Sequence, residues 1–147
     1  LGSPPALVID ANLAVVLTYP HDLALTVDAR IRRWIETGTE MHAPALFRYE
    51  VANSLTRLVV AGELAQEDLP TAWNLLASLP ITYHSLTEGD RAAELALRLN
   101  RSSAYDAAYL LLSESLGVPL FTLDGKLARN ATGSGFVVQL LDGAAES

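Results

Sequence analysis

No cysteine occurs among the 147 residues, which excludes disulfides and any metal site built on thiolates. Basic charge is scarce: ten Lys and Arg stand against seventeen Asp and Glu, a formal net charge of −7. That balance argues against a protein that coats nucleic acid through a broad basic surface. It leaves room for an enzyme that grips nucleic acid locally, because divalent ions offset part of an acidic pocket. No apolar run reaches the roughly 18 residues of a membrane span, and no basic segment leads into an apolar one as in a secretory signal. Cytoplasm is the resulting expectation. Also missing are a G-x-S-x-G nucleophile elbow and a D-x-D phosphatase pattern, since Ala11-Asn12 follow Asp10. Thr132-Gly133-Ser134-Gly135 lacks the lysine of a phosphate-binding loop, and His21, His42 and His84 show no zinc-ligand spacing.

What is present is apolar. Half the residues are hydrophobic and 18% are charged, the balance of a compact domain rather than a disordered chain. Residues 6–9, 118–123 and 136–141 read as short buried strands, 81–86 as an alternating strand, and 41–43 as a weak one. Helices are expected after Asp10, over 22–37, 44–61, 66–79 and 87–99, from Asp106 onward, and over 124–131. Pro44 is assigned to a first helical turn, and Trp34 and Trp73 to the core. No repeat and no long linker interrupts this alternation. The pattern implies one α/β domain over 6–141, with a central parallel sheet flanked by helices on both faces. Leu1-Gly2-Ser3 reads as an expression-vector remnant within a disordered start over 1–5, and 142–147 reads as a frayed tail.

Parallel α/β sheets bind ligands outside the carboxyl ends of their strands. Asp10 and Asp124 directly follow strands, and Asp106 begins a helix. Each has an ordinary structural explanation. Asp10 suits a helix cap, Asp124-Gly125 a turn or cap, and Ser103 to Asp106 a variant capping box. Glu50 falls inside its expected helix, where no cap is needed, and an ion pair with Arg48 or Arg57 would account for it. Together the four carry a different meaning. Converging carboxylates raise one another's pKa unless a cation intervenes, and hard oxygen ligands select Mg²⁺ or Mn²⁺ over zinc. Such a site activates water and stabilises an in-line phosphoryl displacement, which fits phosphodiester hydrolysis.

The segments VIDANLAV around Asp10, LFRYEVANSL around Glu50, SSAYDAAYLLLSESLGVPL around Asp106 and FTLDGKLARNA around Asp124 resemble PIN-domain ribonucleases, specifically the VapC-type toxins. They occur in family order and cover nearly the whole chain from Ala6 to about Leu141. The resemblance implies a Mg²⁺- or Mn²⁺-dependent endoribonuclease of a toxin–antitoxin system. It assigns the family's acidic quartet to Asp10, Glu50, Asp106 and Asp124, with Asp10 and Asp106 as direct metal ligands. Glu50 and Asp124 would complete the site, position water or bind a second ion. Asn12 and Thr122 are expected as supporting hydrogen-bond partners. The family also implies a homodimer and a cognate antitoxin that occupies or blocks the site; no membrane partner is expected, since no apolar run is long enough to span one. Arg48, Arg57, Arg101, Lys126 and Arg129 flank the acidic motifs and are candidates for gripping RNA. For each, a solvated charge or an ion pair is the competing explanation. A PIN-like domain that binds metal, RNA or a protein without cleaving anything is the alternative function.

Overall fold

A computed structural model describes residues 2–101 and 103–142; of the expected polar break before Asp106, Ser102 lies outside it, as does 143–147 of the expected tail. Five short strands form one sheet, all parallel, in the order β3-β2-β1-β4-β5. They are β1 Ala6–Ile9, β2 Glu40–Pro44, β3 Ile81–His84, β4 Leu120–Thr122 and β5 Val138–Leu140. The helices are α1 Ala11–Val15, α2 Ala24–Glu36, α3 Phe47–Val60, α4 Leu69–Ala77, α5 Gly89–Arg98, α6 Tyr105–Leu116 and α7 Gly125–Gly133. Three-residue 3₁₀ turns follow α1 and precede α4.

Leu7, Val8 and Ile9 of β1 are completely buried, because this strand lies in the middle of the sheet with helices over both faces. The chain runs outward from β1 to β2 and β3, then returns to the other side of β1 for β4 and β5. The order therefore reverses between β1 and β4. Folds of this kind bind ligands in a crevice at the carboxyl ends of two strands that feed helices away in opposite directions, the position that β1 and β4 occupy here. Ile9 pairs with Phe121, and the amide of Asp10 donates to the Phe121 carbonyl at 3.0 Å. The two strand ends are thereby locked level with each other.

Helix α2 buries Val27, Ile31 and Trp34, and the Trp34 ring meets Phe121 edge-on at 4.8 Å. Helix α6 ends at Gly117, whose φ of 66° is a left-handed conformation open to glycine at little cost. That turn reverses the chain directly into β4.

Several local expectations need correction. Pro44 is the last residue of β2, opposite His84, and Ala45 continues the pairing by donating to the His84 carbonyl at 2.8 Å. The following helix accordingly starts at Phe47, which moves Glu50 from mid-helix into the first turn. The third strand stops at His84 rather than residue 86. Trp73 is 36% exposed because α4 turns Ala72 and Leu76 inward instead. Pro4 and Pro5, within the expected disordered start, are tied to the start of β2. Thr39 donates its hydroxyl to the Pro4 carbonyl, and the Glu40 amide bonds to Pro5.

Candidate active site

Asp10 is the first residue past β1 and is 7% exposed. Its extended backbone places it at the N-cap of α1, where the nearby Asn12 amide favours its charge without a cap bond of full hydrogen-bond geometry. Its Oδ2 accepts a hydrogen bond from the hydroxyl of Thr122 at 2.8 Å. Thr122 is the last residue of β4 and is fully buried. Its Oγ1 also accepts from Asn12 Nδ2 at 3.2 Å and from the Asp124 amide at 3.0 Å. Asn12 completes the arrangement by accepting the Leu123 amide at 3.1 Å. One threonine thus ties together the ends of β1 and β4, and both strand-end acids hang from it.

Asp124 is a true cap. Its Oδ1 accepts from the Leu127 amide at 3.0 Å, which fixes the side chain at the start of α7. Asp106 sits in the first turn of α6 and Glu50 in the first turn of α3, where the helix dipole favours negative charge. Ser103 accepts the Tyr105 amide at 3.2 Å just ahead of α6, so the expected capping box is reduced to this one bond. Glu50 is held from outside its own helix: the Tyr109 hydroxyl donates to Oε1 at 2.6 Å. Tyr109 is buried, one helical turn beyond Asp106 on α6. No motif marks Tyr109 for this role in the sequence; its i, i+3 spacing from Asp106 is the one local signal that places it on the same face.

Charge coupling links Asp10 with Glu50 and Asp106, Glu50 with Asp106, and Asp106 with Asp124. The family model described as the PIN domain matches residues 7–133. This chain belongs to the PIN-domain family. Ribonuclease VapC3 of Mycobacterium tuberculosis is 38% identical over 132 residues, covering 86% of this chain and 89% of that protein. Ribonuclease VapC12 of the same organism is 37% identical over 125 residues, covering 84% and 91%. Ribonuclease VapC3 of Pyrobaculum aerophilum is 33% identical over 127 residues, covering 83% and 92%. The crystal structure of PAE2754 from Pyrobaculum aerophilum superposes with a TM-score of 0.68 at 20% identity, over 90% of this chain and 82% of that one; this likeness concerns the fold.

The electrostatics of this PIN domain follow from partly buried acids placed near one another. Burial pushes Asp10 up to about 7, and Glu50 and Asp106 add to the rise, while the bonds from Thr122 and the Asn12 backbone oppose it. Glu50 is raised by burial and by Asp106, with Tyr109 and Arg57 pulling the other way. Asp106 is raised by burial and by Asp124, against the pull of Arg101. Each shift means that ionisation is opposed, which a cation would relieve. The donors are all carboxylate oxygens, the chemistry that suits a hard divalent ion. Among the described residues, however, no group of three Asp, Glu or His side chains is already arranged to hold an ion.

The five basic candidates fall in different settings. Arg101 reaches into the acid cluster, with Nη1 3.5 Å from Asp106 Oδ2 and Nη2 3.8 Å from Asp124 Oδ2. Arg48 lies over the Tyr83 ring at 4.3 Å, a cation–π contact on the outer strand. Arg57 is exposed on α3 and acts on Glu50 only through its charge. Lys126 and Arg129 are exposed on α7, and the Arg129 guanidinium folds back toward Gly125. Among the described residues, no helix is long and apolar enough to cross a membrane.

Proposed function

We propose that this chain is a metal-dependent endoribonuclease that hydrolyses RNA phosphodiester bonds as the toxin of a toxin–antitoxin system. The observation that carries the reading is the meeting of Asp10 and Asp124 through Thr122 at the switch point, with Glu50 and Asp106 close enough to shift the ionisation of Asp10. The names of the curated relatives, ribonucleases over most of their length, support the same activity. Mg²⁺, or Mn²⁺ in its place, would supply an activated water and neutralise charge building on the phosphate.

In this reading, Asp10 and Asp106 are the direct ligands, and Glu50 and Asp124 complete the set. The remaining residues orient them. Thr122 fixes which Asp10 oxygen faces inward, because Oδ2 is already committed to its hydroxyl. Asn12 holds Thr122 and the outgoing strand in register. Tyr109 fixes Glu50 through one oxygen and leaves the other available. Asp124 gives Oδ1 to the α7 cap, so Oδ2 is the atom it offers to the site. A homodimer, a cognate antitoxin that covers the crevice, and a cytoplasmic setting belong to the same proposal.

The test is cleavage of a generic RNA across a Mn²⁺ titration. Asp10→Asn and Asp106→Asn should each abolish cleavage while circular dichroism and melting remain those of a folded protein. Full activity in either folded variant would overturn the assignment. Metal binding by the wild type without cleavage of any RNA would leave a binding module instead. For the partner, a short DNA-binding protein encoded immediately upstream should copurify with this chain and suppress cleavage.

A further inference from the structure

Arg101 occupies an unusual position for a guanidinium. Its backbone is pinned by the end of α5. Asn100 adopts φ 58°, the one positive φ outside glycine among the described residues. The amides of Asn100 and Arg101 bond back to Leu97 and Ala96 at 3.1 and 2.8 Å. That double bond pattern is a Schellman cap, a rigid platform from which the side chain extends. The side chain is only 21% exposed and ends between Asp106 and Asp124.

At that end it makes no committed hydrogen bond. Its distances of 3.5 and 3.8 Å to the two carboxylates are ion-pair separations, not the short parallel bonds of a guanidinium–carboxylate fork. Nε and Nη2 are shut off from solvent and have no hydrogen-bond partner. Burying unsatisfied donors is unfavourable, so a purely structural arginine would settle against one acid and satisfy them. Straddling two acids is the behaviour of a diffuse counter-charge.

We propose that Arg101 is a resident counter-ion of the acidic crevice, bridging Asp106 and Asp124 and competing with a divalent cation for both carboxylates. The inference rests on the reading of the four acids as a divalent-ion site. In the metal-free protein the guanidinium offsets the repulsion among the acids. An entering ion takes the same two carboxylates, so Arg101 must withdraw for the full ligand set to close. Asp10, the direct ligand with which Arg101 does not pair, stays open to the ion throughout.

The experiment measures Mn²⁺ binding to RNA-free protein, by calorimetry and by the loss of free-ion electron paramagnetic resonance signal. Arg101→Gln should bind Mn²⁺ roughly fivefold or more tightly than the wild type, the scale of a typical coupling between linked sites. Its melting temperature should be lower without metal and rise further when Mn²⁺ is added. Arg98→Gln, the same charge change on the exposed end of α5, should bind as the wild type does. Should Arg101→Gln fail to fold without metal, Arg101→Lys carries the test. Lysine keeps the charge but lacks the planar preorganised fork, so it should hold the two carboxylates less well, and this variant should also bind Mn²⁺ more tightly. Equal or weaker binding by the folded Arg101 variants, with the wild type binding normally, would overturn the competition alone. No Mn²⁺ binding by any of the proteins would overturn the metal-site reading and the competition with it.

Discussion

Thr122 donates its hydroxyl to Asp10 across 2.8 Å, from the end of one strand to the end of its neighbour. The pair joins residues 112 apart in sequence at the point where the sheet order reverses. Because Thr122 also accepts the Asp124 amide, a change at this one hydroxyl reaches two acids. Thr122→Val preserves shape but removes the donor to Asp10 and both acceptor sites. The loss of buried hydrogen bonding should cost about 1–3 kcal/mol of stability. RNA cleavage should fall at least tenfold, and Thr122→Ser should restore most of both. Chemical denaturation and cleavage assays on the two variants check this; a fully active valine variant would remove Thr122 from the site.

The bond from Tyr109 to Glu50 can be deleted with little loss of packing, because phenylalanine fills the same buried space. Glu50 would lose the donor that favours its charged form, so its pKa should climb beyond its present raised position. Tyr109→Phe should melt within a few degrees of the wild type, a stability loss of about 1 kcal/mol. Its activity should decline, with the acid limb of the pH profile moved to higher pH. An unshifted limb would mean that Tyr109 does not act through Glu50.

Asp10 gives a stability prediction with a definite sign. Its pKa rises on folding to about 7, so between about pH 4 and 7 the folded protein holds a proton that the unfolded chain releases. Metal-free stability should therefore fall as pH rises through that window and remain lower above it. Glu50 and Asp106 are shifted in the same direction and add to the decline. Asp10→Asn keeps an acceptor for Thr122 and carries no charge, so its decline should be shallower. In chelator, the variant should match the wild type near pH 4 and exceed it above pH 7. Saturating Mn²⁺ should stabilise the wild type and reduce the difference. Melting curves across pH, with chelator and with Mn²⁺, read out every part of this; a wild type that gains stability from pH 5 to 8 in chelator contradicts it.

Asp124 serves as a cap and as a site acid, and two substitutions separate the roles. Asparagine is an equally good N-cap, whereas alanine offers no acceptor to the Leu127 amide. Asp124→Ala should lose about 1 kcal/mol of stability, and Asp124→Asn much less. Both should lose cleavage activity. Paired denaturation and RNA-cleavage measurements decide it, and an active asparagine variant would leave Asp124 with capping alone.

Much of this protein is determined by the sequence itself. The apolar runs ending at Asp10 and just before Asp124, and the helical periodicity around Val27, Ile31 and Trp34, follow from local burial requirements. So the parallel α/β fold and the strand-end positions of two acids were legible without coordinates. Boundaries were less so. Pro44 suits a helix start and a strand end equally on local grounds, and pairing with β3 decided for the strand. Trp73 satisfied a helical apolar period, but a small helix has room to bury only one face, and Ala72 and Leu76 took it. What only the tertiary structure decided is the wiring between the acids. Tyr109 meeting Glu50, and Arg101 lying between Asp106 and Asp124, are contacts between different elements whose distances no local pattern encodes. Arg101 shows the difference most directly: in the sequence it is one of several basic residues near acidic motifs, and the cap at the end of α5 turns it into the crevice.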